Sequence, residues 1–224
     1  MSSRLSMAKV QAALRKGVAS AAAPVRSAAS PAAPVRARGA QGAGEIRIIG
    51  GQWKRTRLPV PQRPGLRPTP DRVRETLFNW LGQDLDGHAC LDLFAGTGIL
   101  GFEAASRGAA RVVLVEHDAR ALDALHKAAK TLQAAQVEIV RGDAVRFAQS
   151  TPQRFDGVFL DPPYKQGWIE RVSPWLDRLV RPEGWLYVES EVAVDSLGAW
   201  RAVKQGRAGQ GSAPRQRVEG GRRV

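Results

Sequence analysis

Three glycines in the stretch DLFAGTGILG have the spacing of loops that bind nucleotide-type cofactors. Gly96, Gly98 and Gly101 form the pattern G-x-G-x-x-G between a predicted strand and a predicted helix. Glycines at these positions let the backbone turn tightly and approach a ligand. Twenty residues after Gly96, the next predicted strand ends in Glu116, where a carboxylate can bind the hydroxyls of a ribose. This pair alone suits NAD, FAD or S-adenosylmethionine (SAM) equally well.

Two aspartates close to the predicted strand ends favour SAM among these cofactors. Asp92 lies in the strand before the glycine loop, and a carboxylate there suits a cofactor that carries an ammonium and a sulfonium better than a pyrophosphate. Asp143 follows the third predicted strand, where it could bind an adenine amino group, cap a helix, or do both. The predicted cofactor-binding residues are Asp92, Phe94, Gly96, Thr97, Gly98, Glu116, Asp143 and Ala144.

The tetrapeptide DPPY, Asp161 to Tyr164, follows the apolar run RFDGVFL. Together with DLFAGTG it resembles the SAM-dependent amino-methyltransferases, which modify exocyclic nitrogens of adenine, cytosine or guanine. The resemblance implies a catalytic set of Asp161, Pro162, Pro163 and Tyr164. In it, the Asp161 carboxylate and the Pro162 carbonyl accept hydrogen bonds from the amine, the prolines stiffen the turn, and Tyr164 stacks on an extruded base. The alternative is a Pro-Pro turn that only ends a strand.

The chemistry of a base amine explains why such a corner is useful. The lone pair of the amine is delocalised into the ring, so the amine is a poor nucleophile until acceptors hold its N–H groups and turn the lone pair toward the methyl. No metal or covalent intermediate is required, because the sulfonium methyl is already activated and placement supplies much of the acceleration.

The segment before the glycine loop narrows the choice of amine. RIIGGQWKRTRL followed by RPTPDRVRETLFNWL closely resembles the start of the RsmD-type family of bacterial ribosomal RNA guanine-N2 methyltransferases, and the match runs from about Arg47 to Glu191. It implies methyl transfer from SAM to the N2 amine of a guanine in small-subunit (16S) ribosomal RNA, free or in a small-subunit particle. It also implies that five residues lie near the pocket or the RNA: Arg67, Thr69, Arg72, Arg74 and Glu75.

Basic residues around Trp53 independently favour an RNA-binding surface, although a solvated basic hairpin is the alternative. They are Lys54, Arg55, Arg57, Arg63 and Arg67. The full set of predicted RNA-binding residues is Arg47, Trp53, Lys54, Arg55, Arg57, Arg67, Thr69, Arg72 and Arg74. Two other functions stay open: a DNA or RNA adenine-N6 methyltransferase, and a noncatalytic RNA-binding assembly factor. DNA adenine methyltransferases with DPPY usually insert a target-recognition domain, and no gap between the predicted elements could hold one.

These residues need a sheet that brings the ends of several strands together. Apolar strands are predicted at 89–94, 111–116, 137–141, 155–160 and 184–190, and helices at 99–107, 118–132, 143–149 and 168–180. Apolar strands that alternate with helices predict a doubly wound α/β fold with a mostly parallel, Rossmann-like sheet. In such sheets ligands bind beyond the carboxyl ends of the strands. Two short strands around Gly50 and Gly51, then a helix with Thr69 as its N-cap, precede this fold.

Charge and composition divide the 224-residue chain into regions. The two ends account for its whole net charge of +13: residues 1–44 hold seven Lys or Arg and no acidic residue, and residues 201–224 hold seven with one Glu. The predicted organisation is a disordered basic tail (1–44), an RNA-facing strand pair and helix (45–82), a SAM-dependent methyltransferase domain (83–205) and an irregular basic tail (206–224). Cationic ends suit a polyanion such as nucleic acid, although a soluble Arg-rich tail is the alternative.

The cysteine and histidine content and the hydropathy of the chain limit its compartment, its metal binding and its relation to membranes. The single cysteine, Cys90, excludes a disulfide within the chain and suits a reducing compartment, so we expect a cytoplasmic protein, or an organellar one if residues 1–44 are a transit peptide. The three histidines lack metal-ligand spacing, and no apolar run is long enough for a membrane span. We therefore expect no metal, no membrane and a monomer.

The carboxyl end departs from the family pattern. After AGQ the chain reads GSAPRQRVEGGRRV, in which only Val218 and Val224 are apolar and β-branched. This composition predicts that no good central strand forms there, and it suggests a frameshift or divergence at about Gly211. The last predicted strand would then lack a neighbour and expose its backbone polar groups.

Overall fold

The computed structural model describes residues 44–60, 69–190, 192, 194–207 and 216–220. The strands in this part of the chain are β1 (Glu45–Arg47), β2 (Arg57–Pro59), β3 (Ala89–Asp92), β4 (Arg111–Glu116), β5 (Val137–Arg141), β6 (Phe155–Leu160), β7 (Val180–Ser190), β8 (Ser196–Leu197), β9 (Trp200–Arg207) and β10 (Gln216–Gly220). The helices are α1 (Asp71–Leu81), α2 (Ile99–Ser106), α3 (Ala119–Leu132), α4 (Ala144–Ser150), α5 (Trp168–Val172) and α6 (Leu176–Leu179), with a 3-10 turn at Ser173–Trp175.

The main sheet has the strand order β5-β4-β3-β6-β7-β10-β9-β8. Strands β5, β4, β3, β6 and β7 are parallel, whereas β10, β9 and β8 pair antiparallel. The chain moves outward from β3 to β4 and β5 and then crosses to β6 on the other side of β3. Ligands of doubly wound sheets bind at this reversal, beyond the carboxyl ends of the two strands that flank it. The predicted fold class is confirmed.

Helices cover both faces of the sheet because successive strand residues point to opposite faces. Helices α1, α2 and α3 pack on one face, where Cys90, Phe159 and Tyr187 are buried. Helices α4, α5 and α6 pack on the other face, where Leu91 and Leu160 are buried. Burial raises the pKa of the Cys90 thiol to about 12, so this cysteine is an inert core residue.

The strand pair β1–β2 is fixed to α2 by its connecting turn. The Ser106 hydroxyl donates to the Gly50 carbonyl (2.6 Å) and accepts from the Trp53 amide (2.9 Å). Gly51 has φ +72°, and a Cβ there would lie 1.7 Å from the Ser106 carbonyl oxygen. Only glycine fits this contact, so the G-G pair is a docking point for the strand pair.

A buried ion cluster joins α1, α2 and the chain after β1. The side chains of Arg74 and Glu103 are both 0% exposed, and Arg74 Nη1 lies 2.5 Å from Glu103 Oε1. Glu103 also accepts from the Ile49 amide (2.5 Å) and pairs with Arg107 (3.3 Å). Burial lowers the pKa of Arg74 from its ordinary value, while the Glu103 and Asp71 carboxylates oppose that change. Such a cluster stabilises the fold only while every partner is present.

Several boundaries differ from those predicted. Thr69 is not the N-cap of α1: Pro70 occupies that position and makes no side-chain cap. The single helix predicted at 168–180 is two short helices around the 3-10 turn, which contains Pro174. Residue 180 begins β7, so this strand is longer than predicted.

The prediction that the carboxyl end forms no central strand is wrong for Gln216–Gly220. These residues form β10 and pair with both β7 and β9. Backbone hydrogen bonds do not require apolar side chains, and the open edge of β7 offers a row of donors and acceptors. Gly211 and the rest of 208–215, and the end at 221–224, lie outside the described residues, as do residues 1–43, Arg63, Arg67 and Glu191.

Candidate active site

A cavity of about 550 Å³ opens at the carboxyl ends of the parallel strands. The glycine loop after β3 and the DPPY corner after β6 both line it, so Gly96 and Asp161 share one mouth. The two strands pair directly, and the Leu93 amide donates to the Phe159 carbonyl (3.1 Å). The fold therefore brings together the two motifs that the sequence separates by more than sixty residues.

Within the glycine loop the glycines have different roles. Gly96 has φ +52° and lines the cavity, as Phe94 and Thr97 do. Gly98 does not line it. Gly98 directly precedes α2 and has φ +73°. A Cβ at this position would lie 2.4 Å from Leu125 Cδ2. At Gly101 a Cβ would lie 2.2 Å from Leu114 Cδ2, so this glycine lets α2 pack close to β4. Gly98 therefore has a packing role, and its contact with a cofactor stays a prediction.

Glu116 organises the rim beside the glycine loop. Its Oε2 accepts from the Gly96 amide (2.9 Å), and its Oε1 accepts from the amides of His117 and Asp118 (2.8 Å each). The side chain is buried, yet it lines the cavity. Three amide donors orient the carboxylate, which keeps further lone pairs for the hydroxyls of a ribose.

Asp92 is a buried carboxylate beneath the cavity. It is 2% exposed, and its Oδ2 accepts from the Gly101 amide (3.2 Å). Burial raises the pKa of Asp92 to about 7, and the Glu116 carboxylate adds to that rise, while the Gly101 amide opposes it. A cation in the cavity would favour the ionised form. This site therefore suits a ligand with a positive charge.

Asp143 and Ala144 line the cavity on the far side of Glu116. Asp143 is also the N-cap of α4, since its Oδ1 accepts from the Arg146 amide (2.9 Å). The helix-capping interpretation of Asp143 is therefore correct, and its place on the cavity wall leaves the adenine-binding role open to it.

The DPPY corner is held by a residue that lies far from it in the sequence. The Thr69 hydroxyl donates to Asp161 Oδ2 (3.1 Å), although the two residues lie 92 positions apart. Pro162 is buried, and Tyr164 is half-buried against the cavity. Trp168 on α5 meets the Phe94 ring edge-on at 5.6 Å and closes the apolar wall. The corner thus has a fixed carboxylate next to flat apolar surface.

Sequence reasoning missed ten residues of the cavity wall, among them Trp168, His117 and Glu189. Glu189 is 4% exposed and lies at the end of β7. The rule that ligands bind beyond strand ends would have indicated it, because its strand was predicted to end at residue 190. His117 lies directly after Glu116 and is exposed.

The predicted RNA-binding residues fall into different groups. Lys54, Arg55 and Arg72 are exposed. Arg47 pairs with Asp71 (2.8 Å) and Arg57 with Glu45 (2.9 Å), in both cases at the surface. Trp53 is half-buried against the core and Thr69 is turned to Asp161.

The prediction that Arg74 binds RNA is wrong, because its side chain lies in the buried ion cluster and has no exposed surface. Its charge is used to neutralise Glu103. Arg67 lies outside the described residues.

Within the described part of the chain, no group of three or more histidine, cysteine, aspartate or glutamate side chains could hold a metal ion. No helix among these residues is long and apolar enough to cross a membrane.

The chain is similar to known proteins in sequence and in fold. The family model described as "Conserved hypothetical protein 95" matches residues 46–214. Ribosomal RNA small subunit methyltransferase D of Escherichia coli (strain K12) is 47% identical over 157 residues, which cover 67% of this chain and 77% of that protein. The protein of the same name from Haemophilus influenzae is 42% identical over 154 residues, covering 66% and 80%. The solved structure of Escherichia coli yhhF superposes with a TM-score of 0.69 at 42% identity, covering 79% of this chain and 98% of that one.

Proposed function

Because the chain belongs to the family of that matching model, the RsmD-type ribosomal RNA small-subunit methyltransferases, we propose that it transfers a methyl group from SAM to the N2 amine of a guanine in small-subunit ribosomal RNA. The observation that carries this proposal is that one cavity at the reversal of strand order is lined by both the glycine loop and DPPY.

The cofactor end of the cavity has the chemistry that SAM requires. The carboxylate of Glu116 would hold the ribose hydroxyls, Asp143 the adenine amino group, and Asp92 the positive charge of the methionine part. When bound, SAM supplies a methyl group that its sulfonium activates for transfer. A buried carboxylate whose pKa is near 7 is stabilised by such a ligand.

At the acceptor end, Asp161 and the carbonyl of Pro162 accept hydrogen bonds from the target amine and hold its lone pair toward the cofactor. Thr69 donates to Asp161, so that carboxylate keeps one orientation when the base enters. Tyr164 gives the extruded base a surface for stacking. Placement of the two reactants supplies much of the rate acceleration.

Exposed cations on the strand pair and helix at residues 45–82, here called the amino-terminal extension, support an RNA substrate. Lys54 and Arg55 lie in the turn at the carboxyl end of α2, whereas the cavity lies at its amino end. The eight residues of α2 separate them by about 12 Å. We expect RNA that spans both to contact the exposed side chains of Arg72 and Arg47 as well, through phosphates and single-stranded bases.

Methyl transfer from labelled SAM to small-subunit RNA that lacks the mark tests the proposal. We expect label in N2-methylguanosine at one position after digestion and mass analysis of the nucleosides. Label in N6-methyladenosine would instead support an adenine enzyme. RNA binding without any label would support the noncatalytic assembly factor.

A further inference from the structure

Glu189 is a buried carboxylate that has no role in the methyl transfer proposed above. It lies at the carboxyl end of β7, is 4% exposed and forms part of the cavity wall. Its Oε1 accepts from the hydroxyl of Tyr187 (2.6 Å), which is itself fully buried. This contact fixes the carboxylate in position against the cavity.

The strand register places Glu189 beside Asp161. Phe159 pairs with Tyr187 and Leu160 with Val188, so the next pair in this parallel register is Asp161 and Glu189. Because side chains alternate between faces, both carboxylates point to the face on which Phe159 and Tyr187 are buried. Adjacent strands lie about 4.8 Å apart, so the backbones at Asp161 and Glu189 are neighbours, and both residues line the cavity.

The order of strands places Glu189 on the side away from the cofactor. Along the rim, Asp143, Glu116 and the glycine loop follow β5, β4 and β3, and Asp161 and Glu189 then belong to β6 and β7. A ligand group that contacts Glu189 is therefore farther from the glycine loop than the amine held by Asp161. This position belongs to the acceptor base.

Base chemistry identifies the group that suits a carboxylate there. In guanine the exocyclic amine has a ring nitrogen on each side: N1 carries a hydrogen and is a donor, whereas N3 is an acceptor. In adenine and cytosine the one ring nitrogen beside the amine is an unprotonated acceptor. A carboxylate on the N1 side of the amine site therefore forms a charge-assisted hydrogen bond with guanine, a contact that adenine and cytosine cannot offer beside their amines.

We propose that Glu189 determines base specificity by accepting a hydrogen bond from N1–H of the target guanine, while Asp161 holds its N2 amine. This inference rests on the proposed guanine-N2 activity. Tyr187 is the positioning residue for Glu189, because its hydroxyl fixes the carboxylate.

An analogue that keeps the amine and loses the N1 hydrogen tests the proposal. The target guanosine, once mapped, is replaced by 2-aminopurine riboside through RNA ligation, and kcat/KM is measured on both RNAs with the wild-type protein and with Glu189→Gln. We expect the wild type to prefer guanosine by at least about a hundredfold. We expect Glu189→Gln to reduce this preference at least about tenfold, because a neutral amide can donate to an unprotonated N1. Effects of the missing O6 cancel in the ratio of the two enzymes.

Controls separate this role from a structural one. Glu183→Gln makes the same change at the exposed opposite end of β7 and should leave the preference unchanged. SAM affinity of Glu189→Gln, measured by calorimetry, should match the wild type. An equal loss on both RNAs would assign Glu189 a structural role and overturn the inference.

The wild-type arm needs no variant to fold, and equal rates on guanosine and 2-aminopurine would overturn the inference by themselves. Methylation of guanosine N2 with no effect of Glu189 would leave the proposed function standing. Failure of the wild type to methylate any guanine would remove both.

Discussion

The two ends of the cavity are built from contacts of very different sequence range. At the cofactor end, Glu116 binds the amide of Gly96, twenty residues away, and Asp143 binds the amide of Arg146, three residues away. At the acceptor end, Asp161 binds Thr69 across 92 residues. The cofactor end is therefore contained in the strands β3 to β5, whereas the acceptor end also depends on how the amino-terminal extension docks.

The extension therefore has a second role besides offering a basic surface, because it positions the acceptor end of the cavity. The buried cluster of Arg74, Glu103 and Arg107 fixes α1 to α2, and the Ile49 amide joins the same carboxylate. Thr69 lies just before α1, and its carbonyl accepts from Arg74 Nε (3.1 Å). If the extension docks incorrectly, we therefore expect Asp161 to be displaced while the glycine loop keeps its conformation.

The largest expected effect separates the two ends directly. Asp161→Ala removes the carboxylate proposed to hold the amine, so kcat for methyl transfer should fall by at least about 10³-fold, while the dissociation constant of SAM changes less than about threefold. Single-turnover transfer and calorimetry measure the two quantities. Asp123→Ala, at an exposed position of α3, is the matched control. A parallel loss of SAM binding would contradict the division of the cavity into two ends.

Arg74→Met tests the anchor of the extension. Without this guanidinium the buried Glu103 loses its main partner, which should lower the free energy of unfolding by about 3–5 kcal/mol. The change corresponds to a melting temperature lower by roughly 10 °C. Arg72→Met, an exposed position on the same helix, should change stability by less than about 0.5 kcal/mol. Equal stability of the two variants in thermal melts would show that the cluster is not an anchor.

Asp92→Asn tests whether the charge of Asp92 contributes to SAM binding at the cofactor end. The amide oxygen can still accept from Gly101, but the charge is lost, so SAM should bind about 10²-fold more weakly at pH 8. Since the pKa of Asp92 is about 7, wild-type affinity for SAM should rise as the pH increases from 6 to 8 and then level off. The variant should lack this dependence, as calorimetry at several pH values can establish.

The same pKa has an opposite consequence for stability without ligand. A carboxyl whose pKa rises from 3.8 to about 7 on folding favours the folded state when protonated, so its burial increasingly destabilises the protein as the pH rises through that range. Asp92→Asn should therefore melt at a higher temperature than the wild type at pH 8 and at nearly the same temperature at pH 4. A variant that is less stable at pH 8 would contradict the burial argument.

Thr69→Val should have the smallest effect. It removes one hydrogen bond to Asp161 at nearly constant volume, and kcat should fall about tenfold with SAM affinity unchanged. Thr69→Ser keeps the hydroxyl and should restore most of the rate. If Val and Ser variants were equally active, the long-range contact would have no role in orienting Asp161.

Local sequence patterns were enough to predict the five parallel strands of the sheet and the motifs that line the cavity. The glycine loop and DPPY each follow an apolar strand and Glu116 ends one, and the parallel sheet confirms that these strand ends meet. The fold of β3 to β7 follows from periodicity because each element buries its own apolar face.

Tertiary structure decided what the polar and charged residues do. Arg72 and Arg74 look alike in the sequence, yet one is exposed and the other neutralises Glu103 inside the protein. Thr69 has the features of an N-cap, but a carboxylate 92 residues away receives its hydroxyl hydrogen.

The strand β10 depends in the same way on an open neighbouring edge rather than on its own residues. The residues that become the apolar core can be predicted from the local sequence, because their spacing follows the period of a helix or strand. The partner of a polar group, in contrast, is determined by which distant segments meet, and only the folded chain specifies that.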